Sequence, residues 1–183
     1  AAEILAEAEL TEGQTAIGLC PSARHFTKIW PATRFAEAGA ALAARRRAPV
    51  VLFGAPDEAD RCREIGAEIT RRTGLPAVVA AGRASLLETA ALMDRCAVVV
   101  TNDTGLMHLA SARRRPVVAV FGSTTRQLGF FPQGSNSRVV EHGSLGCRPC
   151  THIGRKRCPL RHFRCMLEVA PASVIDAAES VWA

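Results

Sequence analysis

The stretch Val98-Val99-Val100-Thr101-Asn102-Asp103-Thr104-Gly105-Leu106-Met107-His108 runs from an apolar β-branched segment, through amide, carboxylate and hydroxyl side chains, into helix-forming residues. A strand that turns directly into a helix leaves several backbone N–H groups without intrahelical partners. Together with the Thr104 hydroxyl these suit an anion such as phosphate. Asp103 has two readings. As a helix cap it stabilises by about 1 kcal/mol and does nothing else. As a ligand group it would hold hydroxyls of a bound sugar rather than the phosphate itself. His108 reads as a core or supporting histidine rather than a catalyst.

A second constellation is Cys147-x2-Cys150-x7-Cys158-x6-Cys165, inside a segment with no Asp or Glu from His142 to Leu167 but with Arg148, Arg155, Lys156, Arg157, Arg161 and Arg164. Four thiols could hold zinc or an iron–sulfur cluster, and nearby cations would help keep them ionised. The second half lacks the Cys-x-x-Cys spacing of a zinc ribbon, so free or packed thiols and reversible disulfides remain open beside metal. Cys20, Cys62 and Cys96 sit in apolar periodic contexts and read as small buried hydrophobes. The total of seven cysteines is odd and no secretory signal opens the chain, which points to a reducing cytoplasm. The basic patch suits nucleic acid, acidic lipid or a phosphorylated substrate, or is a solubilising loop. Nucleic acid is disfavoured because neither aromatic-interleaved basic motifs nor a helix-turn-helix pattern accompanies the charge. Lys28 and Lys156 are the only lysines among 23 basic residues, which sets Lys28 apart.

These residues must be held by a scaffold, and the chain has the material for one. Its 183 residues are 48% hydrophobic and 22% charged, enough for a single domain with a sizeable core. Apolar runs recur along the length, which excludes disorder, and none approaches the ~18 residues of a membrane span. Thr15–Leu19, Val50–Phe53, Ala77–Ala80, Ala97–Thr101 and Val117–Phe121 read as buried strands. Helical periodicity fills Ala32–Arg46, Asp57–Arg72, Ser85–Arg95, about Gly105–Arg113, and Pro171 to the end. Ser85-x-x-Glu88 is a capping box. Strand–helix alternation implies a Rossmann-like α/β fold, a parallel sheet with helices on both faces. Residues 1–14 read as a helical remnant or linker ahead of a domain at 15–183, and Ser123–Leu167 reads as elaborated loops.

Ligands of open parallel sheets bind beyond the carboxyl ends of the strands. That selects Pro21-Ser22-Ala23, Gly54-Ala55-Pro56, Asn102-Asp103-Thr104-Gly105 and Gly122-Ser123-Thr124. The absence of G-x-G-x-x-G after the first strand, of a P-loop and of G-x-S-x-G weighs against dinucleotide oxidoreductases, P-loop enzymes and α/β-hydrolases.

Three motifs together resemble the carboxyl-terminal half of bacterial lipopolysaccharide heptosyltransferases of glycosyltransferase family 9. They are Pro21-Ser22-Ala23-Arg24-His25-Phe26-Thr27-Lys28-Ile29-Trp30-Pro31, the block from Ser85-Leu86-Leu87-Glu88 to Thr101–His108, and Val117–Thr124. The cysteine loop is similar to that of the heptosyltransferase II-like branch. The resemblance covers nearly the whole chain from Thr15 onward. It implies a GT-B enzyme of two Rossmann-like domains, this chain being the one that binds the nucleotide sugar, without cofactor or metal.

Roles carried over from the resemblance put Lys28 on the diphosphate as the catalytic cation for the leaving ADP. Ser22, Glu58, Asp103, Thr104, Gly105, Gly122 and Ser123 would bind ADP-heptose, with Glu58 near the nucleoside and Asp103 on heptose hydroxyls. Ile29 departs from the basic or polar residue expected inside K-x-W-P. The resemblance further implies a lipopolysaccharide inner-core acceptor, a cytoplasmic location at or near the inner membrane, and a general base in an amino-terminal domain outside this chain. The chain alone is therefore expected to bind donor without turnover. A UDP-sugar transferase, a cysteine-ligated metal or redox module, and a noncatalytic nucleotide-binding or partner domain stand as alternatives.

Overall fold

The computed structural model describes residues 1–134 and 136–182; Ser135 and Ala183 lie outside the described residues. Six strands form one sheet: β1 (Ala16–Cys20), β2 (Val50–Leu52), β3 (Ala77–Val79), β4 (Cys96–Asn102), β5 (Val117–Phe121) and β6 (Ser137–Glu141). All pairings are parallel and the order is β3-β2-β1-β4-β5-β6. The chain lays β2 and β3 to one side of β1 and then returns to lay β4, β5 and β6 on the other. The order therefore reverses between β1 and β4, and the loops leaving those two strands diverge to open a crevice.

Parallel strands covered on both faces are apolar along most of their length, and β1, β4 and β5 are buried throughout, with Thr101 and Asn102 at the end of β4 the polar exceptions. Their side chains alternate between two cores. Ile17, Leu19, Val98, Val100, Val118 and Val120 pack with α2 (Ala32–Arg46), α3 (Ala59–Thr73) and α7 (Pro171–Val181). Val51, Phe53, Val99, Val117, Ala119 and Phe121 face α1 (Ala2–Glu7), α4 (Leu86–Met93) and α5 (Gly105–Ala112). α1 contributes Ile4 to this second core. Gly39 lets α2 approach closely, because a Cβ there would lie 2.8 Å from Ile69 and 2.9 Å from Leu19.

Helix ends follow local chemistry. α3 stops at Gly74, whose φ of +71° an L side chain disfavours. α4 starts at Ser85, whose hydroxyl accepts from the Glu88 N–H while the Glu88 carboxylate accepts from the Ser85 N–H at 2.9 Å.

One expectation is corrected. Ser123–Leu167 is not loops throughout: it contains β6, paired along its length with β5, and the short helix α6 (Arg164–Leu167). β6 is one of the two edge strands, so only one neighbour and part of one face need apolar cover. Ser-Arg-Val-Val-Glu, with two half-buried valines between exposed Arg138 and Glu141, meets that need without a continuous apolar run. No helix among the described residues is long and apolar enough to cross a membrane.

The Ser85 cap gives a direct check on α4, the helix that precedes β4. Ser85→Ala is expected to lower stability by about 1 kcal/mol, read as a fall of a few degrees in the thermal midpoint, with Ser85→Asp retaining it.

Candidate functional site

The crevice at the sheet reversal is built by side chains that lock the β1–α2 loop onto the end of β4. Asn102, the last residue of β4, accepts at Oδ1 from the Trp30 N–H (3.0 Å), and its Nδ2 donates to the Ser22 carbonyl (3.4 Å). Arg61 of α3 donates to the carbonyls of Pro21 (3.0 Å) and Trp30 (2.9 Å), at either end of the same loop. Trp30 is fully buried, and its indole N–H donates to the Val169 carbonyl at 3.1 Å. A loop held at both ends leaves the 3-10 turn Phe26–Lys28 one fixed direction in which to present Lys28.

Lys28 Nζ lies 2.7 Å from Asp103 Oδ2, with the two side chains only 11% and 4% exposed. The Thr124 hydroxyl, just past β5, donates to the same carboxylate oxygen at 2.7 Å. The Phe130 ring centroid is 5.4 Å from the ammonium, within cation–π range. Burying such a pair carries a desolvation penalty that geometry and further hydrogen bonds must offset. Here one oxygen serves both partners, and the remaining N–H groups of the ammonium are left for a ligand.

Lys28, Asp103, Thr104 and Gly105 line one cavity of about 300 Å³, joined by Arg24, His25 and His108. A second cavity, of about 640 Å³, is lined by Glu58, Gly54, Leu86 and Leu106. Arg24, Thr104 and Gly105 border both, so the start of α5 forms the ridge between them. Its first N–H groups, unpaired within the helix, sit at the meeting point of the two spaces.

The residues expected at the site separate into three groups. Lys28, Asp103, Thr104 and Gly105 come together. Glu58 lies in the neighbouring cavity, its carboxylate fixed by accepting from the Ala55 N–H at 2.8 Å. Ser22 is 6% exposed at the end of β1, and its Oγ has no hydrogen-bond partner, an orphan that costs about 1–3 kcal/mol until a ligand or water meets it. Gly122 and Ser123 are buried behind the cavities. Ser123 Oγ donates to Thr27 Oγ1 at 3.0 Å, and a Cβ on Gly122 would lie 2.9 Å from the Thr27 carbonyl. They back the turn that carries Lys28.

Sequence reasoning gave no role to Arg24, His25, Phe130 or Ile153, all of which line the first cavity. Arg24 and His25 were findable, because they follow β1 where ligands bind. Phe130 and Ile153 arrive from an irregular segment with no periodic signal. His108 is exposed at the cavity rather than in a core: three residues past Gly105 on α5, it shares the face that the helix start presents.

The model of glycosyltransferase family 9 (heptosyltransferase) matches residues 2–161. The chain belongs to this family. It is 30% identical over 174 residues to lipooligosaccharide heptosyltransferase 2 of Campylobacter jejuni, an alignment covering 94% of this chain and 52% of that one. Among solved structures it resembles the ADP-heptose lps heptosyltransferase II of E. coli, with TM-score 0.77, 26% identity, and coverage of 98% of this chain and 50% of that one. It also shares its fold with E. coli heptosyltransferase WaaC, solved with ADP-2-deoxy-2-fluoro heptose (TM-score 0.61, 23% identity, 93% and 44% covered). The chain thus spans about half the length of the curated relatives it matches.

The cysteines of this family 9 chain fall into two sets. Cys20, Cys62 and Cys96 are buried as expected, and desolvation pushes the Cys62 and Cys96 thiols up to about 12. Cys147 Sγ stands 3.8 Å from His162 Nε2, and the Cys150 thiol is raised by burial and by neighbouring Cys147 and Cys158. Among the described residues no group of three or more His, Cys, Asp and Glu side chains is set to hold a metal ion. Cys165, on α6, is buried and pushed up to about 11 by desolvation. Iodoacetamide is expected to label the half-buried Cys147 and Cys158, which the reagent can reach, while the buried Cys20, Cys62, Cys96 and Cys165 stay unmodified. Peptide mass mapping reads this, and early labelling of Cys165 would contradict the packing of α6 on β5.

Proposed function

We propose that the chain is the donor-binding half of a heptosyltransferase that takes ADP-heptose and serves a lipopolysaccharide inner-core acceptor, at or near the cytoplasmic face of the inner membrane. The observation that carries this reading is the Lys28–Asp103 pair at the mouth of the β1/β4 crevice. Family membership and relatives whose names specify ADP-heptose support the donor. The two cavities suit its two ends. The larger, with Leu86, Leu106 and the Glu58 carboxylate, accommodates a nucleoside. The smaller, with its ammonium and carboxylate, accommodates the sugar side, and the diphosphate would cross the start of α5 between them.

The chemistry follows from the charges. In an inverting transfer the acceptor hydroxyl oxygen bonds to the anomeric carbon as the opposite C–O bond breaks, and the electron pair departs on the ADP diphosphate. Lys28 and the free N–H groups of α5 neutralise that growing charge, and because Asp103 already holds the ammonium, no reorganisation is needed in the transition state. Asp103 has Oδ2 committed to Lys28 and Thr124, which leaves Oδ1 for sugar hydroxyls and makes it unsuited to taking the acceptor proton. That proton we assign to a base in the other half of such an enzyme, so this chain alone would bind donor without transferring heptose.

Calorimetric titration tests the reading. ADP is expected to bind more tightly than UDP; the reverse order would favour a UDP-sugar enzyme. Lys28→Ala should weaken ADP at least tenfold, about 1.4 kcal/mol, and AMP much less, since AMP lacks the second phosphate. Equal loss for ADP and AMP would move Lys28 off the diphosphate, and heptose transfer by this chain alone would overturn the assignment of the base.

A further inference from the structure

Beside the donor crevice lies a third concavity, of about 410 Å³, lined by His25, Gly154, Arg155, Lys156, Arg157 and Pro159. His25 also lines the smaller donor cavity, so the two spaces are neighbours. The basic loop is fixed rather than draped. Arg155 N donates to Thr27 Oγ1 at 2.8 Å, and Thr27 N donates to the Arg155 carbonyl at 3.1 Å. Thr27 is 1% exposed and immediately precedes Lys28. Gly154 has φ of +115° and sits so close to His25 that a Cβ would come within 2.5 Å of the His25 Cβ. The Thr151 hydroxyl closes the turn, accepting from the Gly154 N–H and donating to the Gly154 carbonyl, both at 3.2 Å.

Two cations of the same segment, Arg148 and Arg164, are matched, whereas among the described residues Arg161 and the three on this loop are not. Arg148 pairs with Glu141 and Arg164 with Glu168. Arg155, Lys156 and Arg157 have no carboxylate within salt-bridge distance among the described residues. Arg155 Nε donates to the Cys150 carbonyl at 3.2 Å, which fixes its stem, but no carboxylate neutralises the three adjacent cations; they repel one another, and an anion relieves that repulsion. Arginine forks and an ammonium around a concave space match the oxygens of a phosphate or carboxylate.

We propose that His25 and the Arg155-Lys156-Arg157 loop form an anion subsite, distinct from the donor diphosphate site, that takes a phosphate or carboxylate carried by the acceptor saccharide. Its position beside the donor cavity rests on the reading of that cavity given above. The reciprocal Thr27–Arg155 hydrogen bonds tie the subsite to the turn that presents Lys28, so an acceptor held there is registered against the leaving-group side of the cleft.

The probes are lipid-free phosphorylated core oligosaccharide released from lipopolysaccharide by mild acid, its phosphatase-treated counterpart, and phosphatidylglycerol vesicles, each titrated against the 183-residue chain. The oligosaccharide is expected to bind, and phosphatase treatment to weaken it at least threefold. Arg155→Ala/Lys156→Ala/Arg157→Ala should weaken it at least tenfold with ADP affinity and thermal midpoint unchanged. A charge-matched control, Arg45→Ala/Arg114→Ala/Arg138→Ala, should change it less than twofold. Equal losses in the two triple variants would reduce the effect to net charge and overturn the subsite. Vesicle binding without oligosaccharide binding would replace it with a membrane-facing surface. Failure of ADP to bind with oligosaccharide binding intact would instead count against the donor reading alone.

Discussion

A lysine ammonium and an aspartate carboxylate in contact at 2.7 Å, almost withdrawn from water, are the constraint around which the crevice is organised. Removing either partner would strand a buried charge, so the pair can persist only if the surrounding backbone holds both groups in register. Three strand ends do this. Lys28 comes from the loop after β1, Asp103 from the residue after β4, and Thr124 from the loop after β5. These strands are adjacent and parallel in the sheet, so their carboxyl ends emerge on one edge. A sheet with β1 and β4 apart could not assemble the same triangle. The pair is thus a consequence of the strand order, and the reversal that opens the crevice also delivers its charges.

What holds the pair is a set of hydrogen bonds between residues far apart in sequence. Asn102 bridges Ser22 and Trp30, Arg61 reaches both ends of the same loop, and Trp30 anchors to Val169 near the final helix. Each satisfies a buried backbone group that the irregular loop would otherwise leave unpaired, and each is strengthened by exclusion of water. The loop is consequently part of the packed body although its regular structure is limited to the 3-10 turn Phe26–Lys28. On the proposed reading, such pre-organisation suits a site that meets charge appearing only as a bond breaks.

This explains what could be read from the sequence. β1, β4 and β5 are legible because strands covered on both faces demand unbroken apolar runs, and α4 is legible because Ser85 and Glu88 advertise a local hydrogen-bond pattern. Asp103, Thr104 and Gly105 were marked by their place after β4, and Lys28 by its rarity and motif. β6 escaped because, unlike the other edge strand β3 with its Ala-Val-Val, it sets only two valines among Ser, Arg and Glu, which its edge position tolerates. The links from Thr27 to Ser123 and Arg155 escaped for a deeper reason: they join positions 96 and 128 residues apart, and no local pattern encodes them. The positions of Gly122 and Ser123 behind the turn, rather than in the cavity, depend on those same links. Sequence spacing identified the strand ends but not which of their residues line the cavities and which support the ones that do.

The distribution of charge separates the surface that stabilises from the surface that recognises. Around the helices several cations are matched: Arg71 and Arg72 with Glu68, Arg83 with Glu7, Arg113 with Asp94 and Arg46 with Glu179. These exposed pairs contribute little individually and cancel in the far field. The formal charge of +6 is therefore not a uniform coat. Among the cations without a carboxylate partner, Arg155, Lys156, Arg157 and Arg24 stand together beside a cleft whose own ammonium is already bound to a carboxylate. A field concentrated there favours an anion at that loop, while the buried pair, screened far less, belongs on the proposed reading to the donor diphosphate. Attraction and placement are thus assigned to different residues, with the Thr27–Arg155 contact the point at which the two are mechanically joined.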